Sequence, residues 1–510
     1  MPGPVAGPAR RLGSSVRLRE AVDFFASSVP IALVDFIKLL LPAITTARVG
    51  HHATSATDLA GASMGILTFN VAGNMIVAAP LAALDTIAPQ AYGAGNKQGV
   101  GLAAQRALLL SACFLLPTAP LWVFAHPILV ALGQPPDVAR FSARYMRLLL
   151  PGLAPYAIFE AARKFVYAQN LRSPPLLSAA VGLASHFLWL EVWCWALDVG
   201  VGAPLALCST YATMAVVMIA HIRCGWRMPH AFEAWPRGAQ RHLLLRDRAA
   251  WRLMLTTSLS ALLSLSEWLF WEVNCFRVGQ FGTVPLASYS IAYSVEPVFF
   301  MVPLGLSTAL ANSVGNLLGA RRVGDARRLV LTASAVGFAT ICAYTFGVWV
   351  AGRSLARLFT RDAEVLAATA HMWPWFCVFM LISGPFALII GLNRGLGLQR
   401  HNAACVLLLV WPVGAPLILI YAQSPSNVWQ LLSCTYALLL SALVLCAGCS
   451  NWEALADKAA AANEQPSPGE AENEMNGSAP GGGSRRTCTS TGGLAAADAE
   501  AAKARENEMT

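Results

Sequence analysis

The chain has 510 residues, of which 56% are hydrophobic and only 12% are Asp, Glu, Lys or Arg, where an ordinary soluble domain carries about 25%. That leaves too few polar residues to cover a water-soluble fold of this length, which argues against a soluble enzyme and against disorder except at the ends. The formal charge of +9 comes from 36 Lys and Arg against 27 Asp and Glu; the cations sit in short segments between apolar runs, not in a basic strip with interleaved aromatics, so no nucleic-acid partner is expected.

Met1 to Arg19 is rich in Pro, Gly and Arg and leads into an apolar segment without a small-residue cleavage site. Residues 1–23 therefore read as a cytosolic tail and not as a secretory signal. Apolar spans of about 20 residues or more, the length a helix needs to cross a bilayer, follow at 24–49, 59–84, 105–130, 146–168, 175–197 and 201–222. A second set of six lies at 252–277, 285–313, 329–350, 367–391, 403–422 and 427–448. Between the sets, residues 223–250 hold Arg223, Arg227, Arg237, Arg241, Arg246 and Arg248 with Pro229, Pro236 and Gly238, a basic linker between an N-lobe (24–222) and a C-lobe (251–449). After Ser450 the composition turns to Ala, Glu, Asn, Gly and Ser, with GGGS at 481–484; such a segment cannot bury enough apolar surface to offset ordering entropy, so 450–510 is expected to be a disordered tail.

With twelve spans and both termini in the cytosol, 22 basic residues fall on the cytosolic side and eight outside, the asymmetry expected of that orientation. Most cysteines, Cys113, Cys208 and Cys377 among them, fall inside apolar runs and read as small buried hydrophobes. Cys446 with Cys449 is the nearest approach to a metal or redox spacing, at the end of an apolar run, and no metal site is expected.

The two halves repeat. Val49-Gly50 aligns with Val278-Gly279 at an offset of 229, Leu59-Ala60 with Leu286-Ala287 and Asp137-Val138 with Glu364-Val365 at 227, and Gly93-Ala94 with Gly319-Ala320 at 226. An even number of spans per copy gives both copies the same orientation, related by an axis along the membrane normal. The expected fold is an all-α integral membrane protein with 12 transmembrane helices in two pseudo-symmetric six-helix bundles and a cleft between them.

A carboxylate inside a span is costly and is a functional candidate by default. The candidates are Asp35, Glu160, Glu191, Glu267, Glu272 and Glu296. Glu160 precedes Arg163 and Lys164 at i+3 and i+4 and reads as a local ion pair. Asp35 and Lys38 at i, i+3 can pair on one face, which leaves Asp35 open as a mutually neutralised acid or as a cation-coupling and substrate-binding residue. Glu191 lies beside Trp189, Trp193 and Trp195 and reads as part of an interfacial belt. Glu267 and Glu272, five residues apart, are separated by roughly 7.5 Å along a helix and about 140° around it. Trp268 and Trp271 flank them and can offer ring faces to a cation at roughly 0.5–2 kcal/mol each; a packing or lipid-facing role is equally open. Glu296 is preceded by Tyr289 and Tyr293. No H-E-x-x-H, G-x-S-x-G or G-x-x-x-x-G-K-[ST] pattern supports an enzyme.

The stretches ALDTIAPQAYGAGNKQ (83–98) and VPLGLSTALANSVGNLLGARRVGDARR (302–328) resemble paired signatures of the MATE (multidrug and toxic compound extrusion) transporters. So do 132–170, SEWLFWE (266–272), similar to the eukaryotic branch, and GLNRGLGLQ (391–399). The resemblance implies efflux of organic cations or metabolites in exchange for protons or sodium, through a central cavity, without a cofactor and as a monomer. It places the coupling and substrate acids at Glu267 and Glu272, where protons and cationic substrates compete for one carboxyl. It assigns Gln90, Gly93, Asn316 and Gly319 to structural roles at the exits of the second and eighth spans.

Two departures stand out. Prokaryotic relatives have a first-span Asp where Thr45 stands here, and eukaryotic relatives have a tenth-span acid where Ser383 stands. Glu296 is the candidate to supply that missing charge. The alternative, a lipid or lipid-linked sugar flippase of the wider superfamily, would line its cavity with cations. Plasma membrane and an acidic organelle both remain open as the location.

Overall fold

The computed structural model describes residues 14–52, 56–225, 234–235 and 241–463. Among them the chain is helical, with no strand. The first lobe comprises α1 (Ser14–His52), α2 (Thr57–Gly93), α3 (Lys97–Thr118), α4 (Pro136–Ala168), α5 (Ser173–Ala196) and α6 (Val199–Cys224). The second comprises α7 (Arg248–Gly279), α8 (Thr283–Gly319), α9 (Val323–Phe359), α10 (Ala363–Leu396), α11 (Gln399–Tyr421) and α12 (Pro425–Cys449). Eleven of these are long and apolar enough to cross a membrane. The remaining one, α4, has 33 residues, about 50 Å of helix, and also carries Arg140, Arg144, Arg147, Glu160, Arg163 and Lys164.

Large apolar side chains face outward in bands, as a lipid-facing surface requires and a soluble protein avoids. On α9, Leu331, Phe346 and Val350 are 73%, 69% and 68% exposed. Polar residues begin several helices: the Asn96, Asp247 and Asp362 side chains accept from backbone N–H groups at the starts of α3, α7 and α10, where unpaired donors await a cap.

The helices outrun the apolar windows that reveal them. The span expected at 329–350 is part of Val323–Phe359, because capping and first-turn residues are polar while still helical. The third span differs more. It runs from Lys97 to Thr118 and not over 105–130; Pro117 and Pro120 interrupt it, and two short helices, Ala119–Val123 and Ala125–Ala131, follow, since proline removes a helical donor and clashes with the preceding turn. Residues 226–233 and 236–240 of the basic linker, all of 1–13 and the chain from 464 onward lie outside the described residues.

The tail expected to lack structure from residue 450 does not do so throughout. Asn451 caps a further helix, α13 (Trp452–Ala461). Its Trp452 indole donates to Ala447 O at 2.9 Å and lies under the Arg327 guanidinium, 5.8 Å from ring centre. One buried aromatic ring and three buried alanines, Ala456, Ala459 and Ala460, give this short helix an apolar face that the average composition of the tail hides.

The lobes meet where α1 and α2 pack against α8 and α7. A Cβ on Gly305 of α8 would come within 2.5 Å of the Ala32 Cβ on α1. At the end of the molecule where α2 and α8 exit, a Cβ on Gly93 would lie 2.0 Å from Asn316 O, and one on Gly319 2.1 Å from Gln90 O. The repeat is thus visible as a reciprocal crossing of two helices, each glycine seated on the other helix's carbonyl.

Candidate functional site

The two lobes treat buried charge differently. In the first, every buried acid is neutralised. Asp35 on α1 accepts from Arg163 at 2.8 Å and Lys38 at 3.4 Å. Glu160 is bracketed by Arg163 at 2.6 Å and Lys38 at 2.7 Å. The expected pairing of Glu160 with Lys164 is not made, because Lys164 turns instead to Asp85 on α2 at 2.6 Å. Asp35 is therefore a closed member of an ion network, as the pairing with Lys38 anticipated, and it faces α4 as well. Glu191 is exposed and paired with Arg48 at 2.9 Å.

In the second lobe, Glu267, Glu272 and Glu296 form no ion pair with Lys or Arg among the described residues. Glu267 opens the second half of α7, directly after a break at Ser266 whose hydroxyl accepts from the Trp411 indole at 3.1 Å. Its carboxylate accepts from the Trp271 indole at 3.0 Å and from the Tyr436 hydroxyl. Glu272 accepts from the Tyr293 hydroxyl at 3.3 Å. Glu296 is buried on α8 and lies within electrostatic reach of Glu267. The structure thus gathers acids that the five-residue spacing alone left apart.

Around them stands an aromatic cluster. Trp271 meets Tyr293, Phe379, Trp429 and Tyr436 edge-on, with centroids 6.0, 5.5, 6.2 and 6.3 Å away. Tyr289 stacks on Trp429 at 5.2 Å and lies beside Tyr293. Trp271, Tyr289 and Tyr293 are therefore brought together. Trp268 is not: it is 53% exposed on the outer face of α7, because one residue turns a helical side chain by about 100°. Trp429, Tyr436 and Phe379 were missed; they stand in uniformly apolar spans, where nothing in the pattern marks which face turns inward. The Asn274 amide, the Tyr289 hydroxyl and the Trp429 indole are buried without a hydrogen-bond partner among the described residues, polar groups that a ligand can use.

Ser383, at the position of the missing acid, is buried on α10 and bonds back to Met380 O at 3.4 Å. Thr45 is buried against His186. At the repeat offset of 229, Lys38 and Glu267 are mates, so the two lobes carry opposite charge at equivalent places.

A second constellation joins the lobes and was also missed. Arg394 on α10 reaches Asp85 at 3.0 Å and the Ser307 hydroxyl at 3.1 Å. The Thr86 hydroxyl donates to Arg394 O at 2.6 Å, the Gln90 amide to Gly395 O at 3.0 Å, and the Gln399 amide to Thr86 Oγ1 at 2.7 Å. Gly397, with φ +79°, ends α10 in the left-handed conformation that glycine tolerates, and its turn presents these carbonyls. The Gln90 side chain thus bonds to the end of α10, and its carbonyl lies against Gly319. The Asn316 carbonyl lies against Gly93, and its side-chain amide is buried without a hydrogen-bond partner among the described residues. The available signal was that Asp85 and Arg394 occupy two of the family-like stretches.

Two six-helix lobes built on a sequence repeat, with unpaired acids in one and a polar seam between them, define a two-lobed polytopic membrane protein. The MatE family model matches residues 30–189 and 260–420, more than half of the chain and one match in each lobe. The chain belongs to the MatE, or MATE, family. It is 28% identical over 400 residues to multidrug and toxin extrusion protein 2 of Oryctolagus cuniculus, covering 78% of this chain and 65% of that one. It is 31% identical over 355 residues to the uncharacterized transporter C323.07c of Schizosaccharomyces pombe, covering 67% and 63%. The chain therefore spans slightly less than two thirds of the length of these relatives. The fold matches the crystal structure of the eukaryotic MATE transporter AtDTX14 with a TM-score of 0.77 at 21% identity, over 88% of this chain and all of that one. The Vibrio cholerae MATE transporter VcmN in the bent form gives 0.73 at 17%, over 88% and 99%.

Proposed function

We propose that the protein is a secondary active antiporter that exports organic cations, xenobiotics or metabolites in exchange for protons, with sodium as the alternative coupling ion, by alternating access. The observation that carries this reading is the set of acids Glu267 and Glu272, half-buried and hydrogen-bonded by Trp271, Tyr436 and Tyr293, and Glu296, buried, none of them ion-paired with a cation among the described residues. An unpaired carboxylate in an apolar interior is costly, and either a proton or a cationic ligand removes that cost. Both cannot be held at full strength on one group, so each displaces the other. The aromatic rings around the acids add attraction for an organic cation. The relatives' names, multidrug and toxin extrusion proteins, support the same reading. The reading invokes no cofactor, a monomer, cytosolic termini, and either the plasma membrane or an acidic organelle.

The flippase alternative wants interior cations free to meet phosphate. Lys38, Arg163, Lys164 and Arg394 are instead engaged by Asp35, Glu160 and Asp85, which favours the antiporter. The deciding experiment is uptake of a fluorescent organic cation into proteoliposomes under an imposed pH gradient, with and without sodium. Wild type should accumulate the cation, and Glu267→Gln should lose most of that accumulation at normal protein level. Absence of gradient-driven movement in wild type would overturn the reading.

A further inference from the structure

The repeat sets one turn of each lobe at the same end of the molecule. At the offset of 226, Gly95 and Asn96, between α2 and α3, are the mates of Arg321 and Arg322, between α8 and α9. Gly95 has φ +82° and Arg321 φ +56°, so the second turn holds an arginine in the left-handed conformation that its mate leaves to glycine, at a steric cost that side-chain-bearing residues ordinarily avoid. Both turns reach α13. The Arg321 guanidinium lies 3.7 Å from the Asp457 carboxylate, and the Asn96 amide donates to Asn463 O at 3.2 Å. Asp457 and Asn463 stand six residues apart, about 9 Å of helical rise, so the last turns of α13 and the residues just past it run from a turn of one lobe to the equivalent turn of the other.

We propose that α13 is a latch: it ties the exit of α2 in the first lobe to the exit of α8 in the second, and it must release the first lobe before the lobes part on that side. Its two ends are held unequally. The start continues from α12, and Trp452, Ala456, Ala459 and Ala460 are buried, with the Trp452 indole bonded to Ala447 O and its ring under Arg327. That end travels with the second lobe. The Arg321–Asp457 pair also lies within the second lobe; its side chains are 56% and 70% exposed, so it orients the helix and adds little hold in water. The far end meets the first lobe through packing on α2 and through the Asn96 bond. There the Asn463 side chain folds back to donate to Ala459 O at 2.7 Å, while its backbone carbonyl takes the Asn96 amide. Asn96 lies three residues past Gly93, and Arg321 two past Gly319, so separating the crossed helices and breaking the Asn96 bond are one movement.

Asn96 divides its work between two atoms. Its Oδ1 accepts from Gly99 N at 2.7 Å and caps α3, while its Nδ2 holds Asn463 O. Asn96→Asp therefore keeps the capping oxygen, in a residue favoured at that position, and replaces the donor with an oxygen that the carbonyl repels. Trp452→Ala acts at the other end, by removing the ring that seats α13. An effect of the latch on transport rests on the alternating-access reading above; the tie between the two turns does not.

The test is amide hydrogen exchange, read by mass spectrometry, on the full chain in lipid nanodiscs. Asn96→Asp should leave α13 protected and speed exchange at the exit of α8, which the substitution does not touch, by about two- to tenfold, the consequence of losing one hydrogen bond across the lobes. Trp452→Ala should speed exchange in α13 and at the exits of both α2 and α8. An α8 exit that exchanges at the wild-type rate in Asn96→Asp overturns the proposal. So does a Trp452→Ala protein in which α13 exchanges fast and the two exits do not, since α13 would then be a passenger of the second lobe. Uptake of a fluorescent organic cation into proteoliposomes by the same proteins tests the other reading by itself: faster exits in a protein that moves no cation would leave the latch standing and remove the antiporter reading alone.

Discussion

Asp85 of the first lobe holds Arg394 of the second at 3.0 Å while its other oxygen holds Lys164 of its own lobe at 2.6 Å. One buried carboxylate, 2% exposed on its side chain, therefore joins a cation from each side of the interface. Removing one partner of such a pair leaves a charge without compensation in an apolar interior, at a cost of about 3–5 kcal/mol. Asp85→Asn is expected to loosen the interface where α2 and α8 exit. A cysteine placed at Ser307, which Arg394 also touches, should then react faster with a membrane-impermeant thiol reagent applied from the side where α13 lies. An unchanged reaction rate, with the variant folded, would show that the lobes are held shut by the helix crossing and not by Asp85.

The reciprocal glycines make a sharper prediction. A Cβ at Gly93 or Gly319 would fall 2.0 or 2.1 Å from a backbone carbonyl oxygen of the other lobe, a contact that only a backbone shift relieves. Gly93→Ala and Gly319→Ala should each destabilise the closed interface by about 1–3 kcal/mol, the usual range for overpacking, and lower the thermal transition in detergent. Gly324→Ala and Gly347→Ala, whose added Cβ meets nothing within 4 Å, are the controls and should leave it in place.

How much of this was legible in the sequence depends on whether a feature is local. Apolar length placed the spans, and the offsets of 226 to 229 placed the glycine pair, because both are properties of segments read one at a time. The third span was misplaced because Ala119 to Ala131 is apolar enough to continue a span, while Pro117 and Pro120 stop the helix. Tail residues 452–461 were misread for the converse reason: their few apolar residues fall on one helical face, which average composition does not register. Asp85 and Arg394 lie 309 residues apart, and nothing in either segment announces the other. The acids were legible as costly residues, and Asp35 looked as promising as Glu296. Only the third dimension separates an acid with two cationic partners from one with none among the described residues.

Trp268 and Trp271 flank the same pair of acids in sequence and differ in what they touch. The Trp271 indole donates to Glu267 at 3.0 Å and its ring meets four aromatic neighbours; Trp268 is half exposed. Trp271→Phe keeps most of the ring packing and removes the N–H, leaving Glu267 with one fewer donor. A hydrogen bond to a charged group contributes about 1.5–3 kcal/mol, so this change should alter cation affinity about tenfold or more. Trp268→Phe should leave it within twofold, as surface substitutions away from a site usually do. The check is displacement of a fluorescent cation from the purified protein, with both variants compared at equal folded fraction. Equal effects of the two substitutions would move the binding surface to the outer face of α7 and away from Glu267. A large effect confined to Trp271 would tie the indole, the Tyr436 hydroxyl and the carboxylate into one binding unit, in which the aromatic ring positions the acid and also faces the ligand.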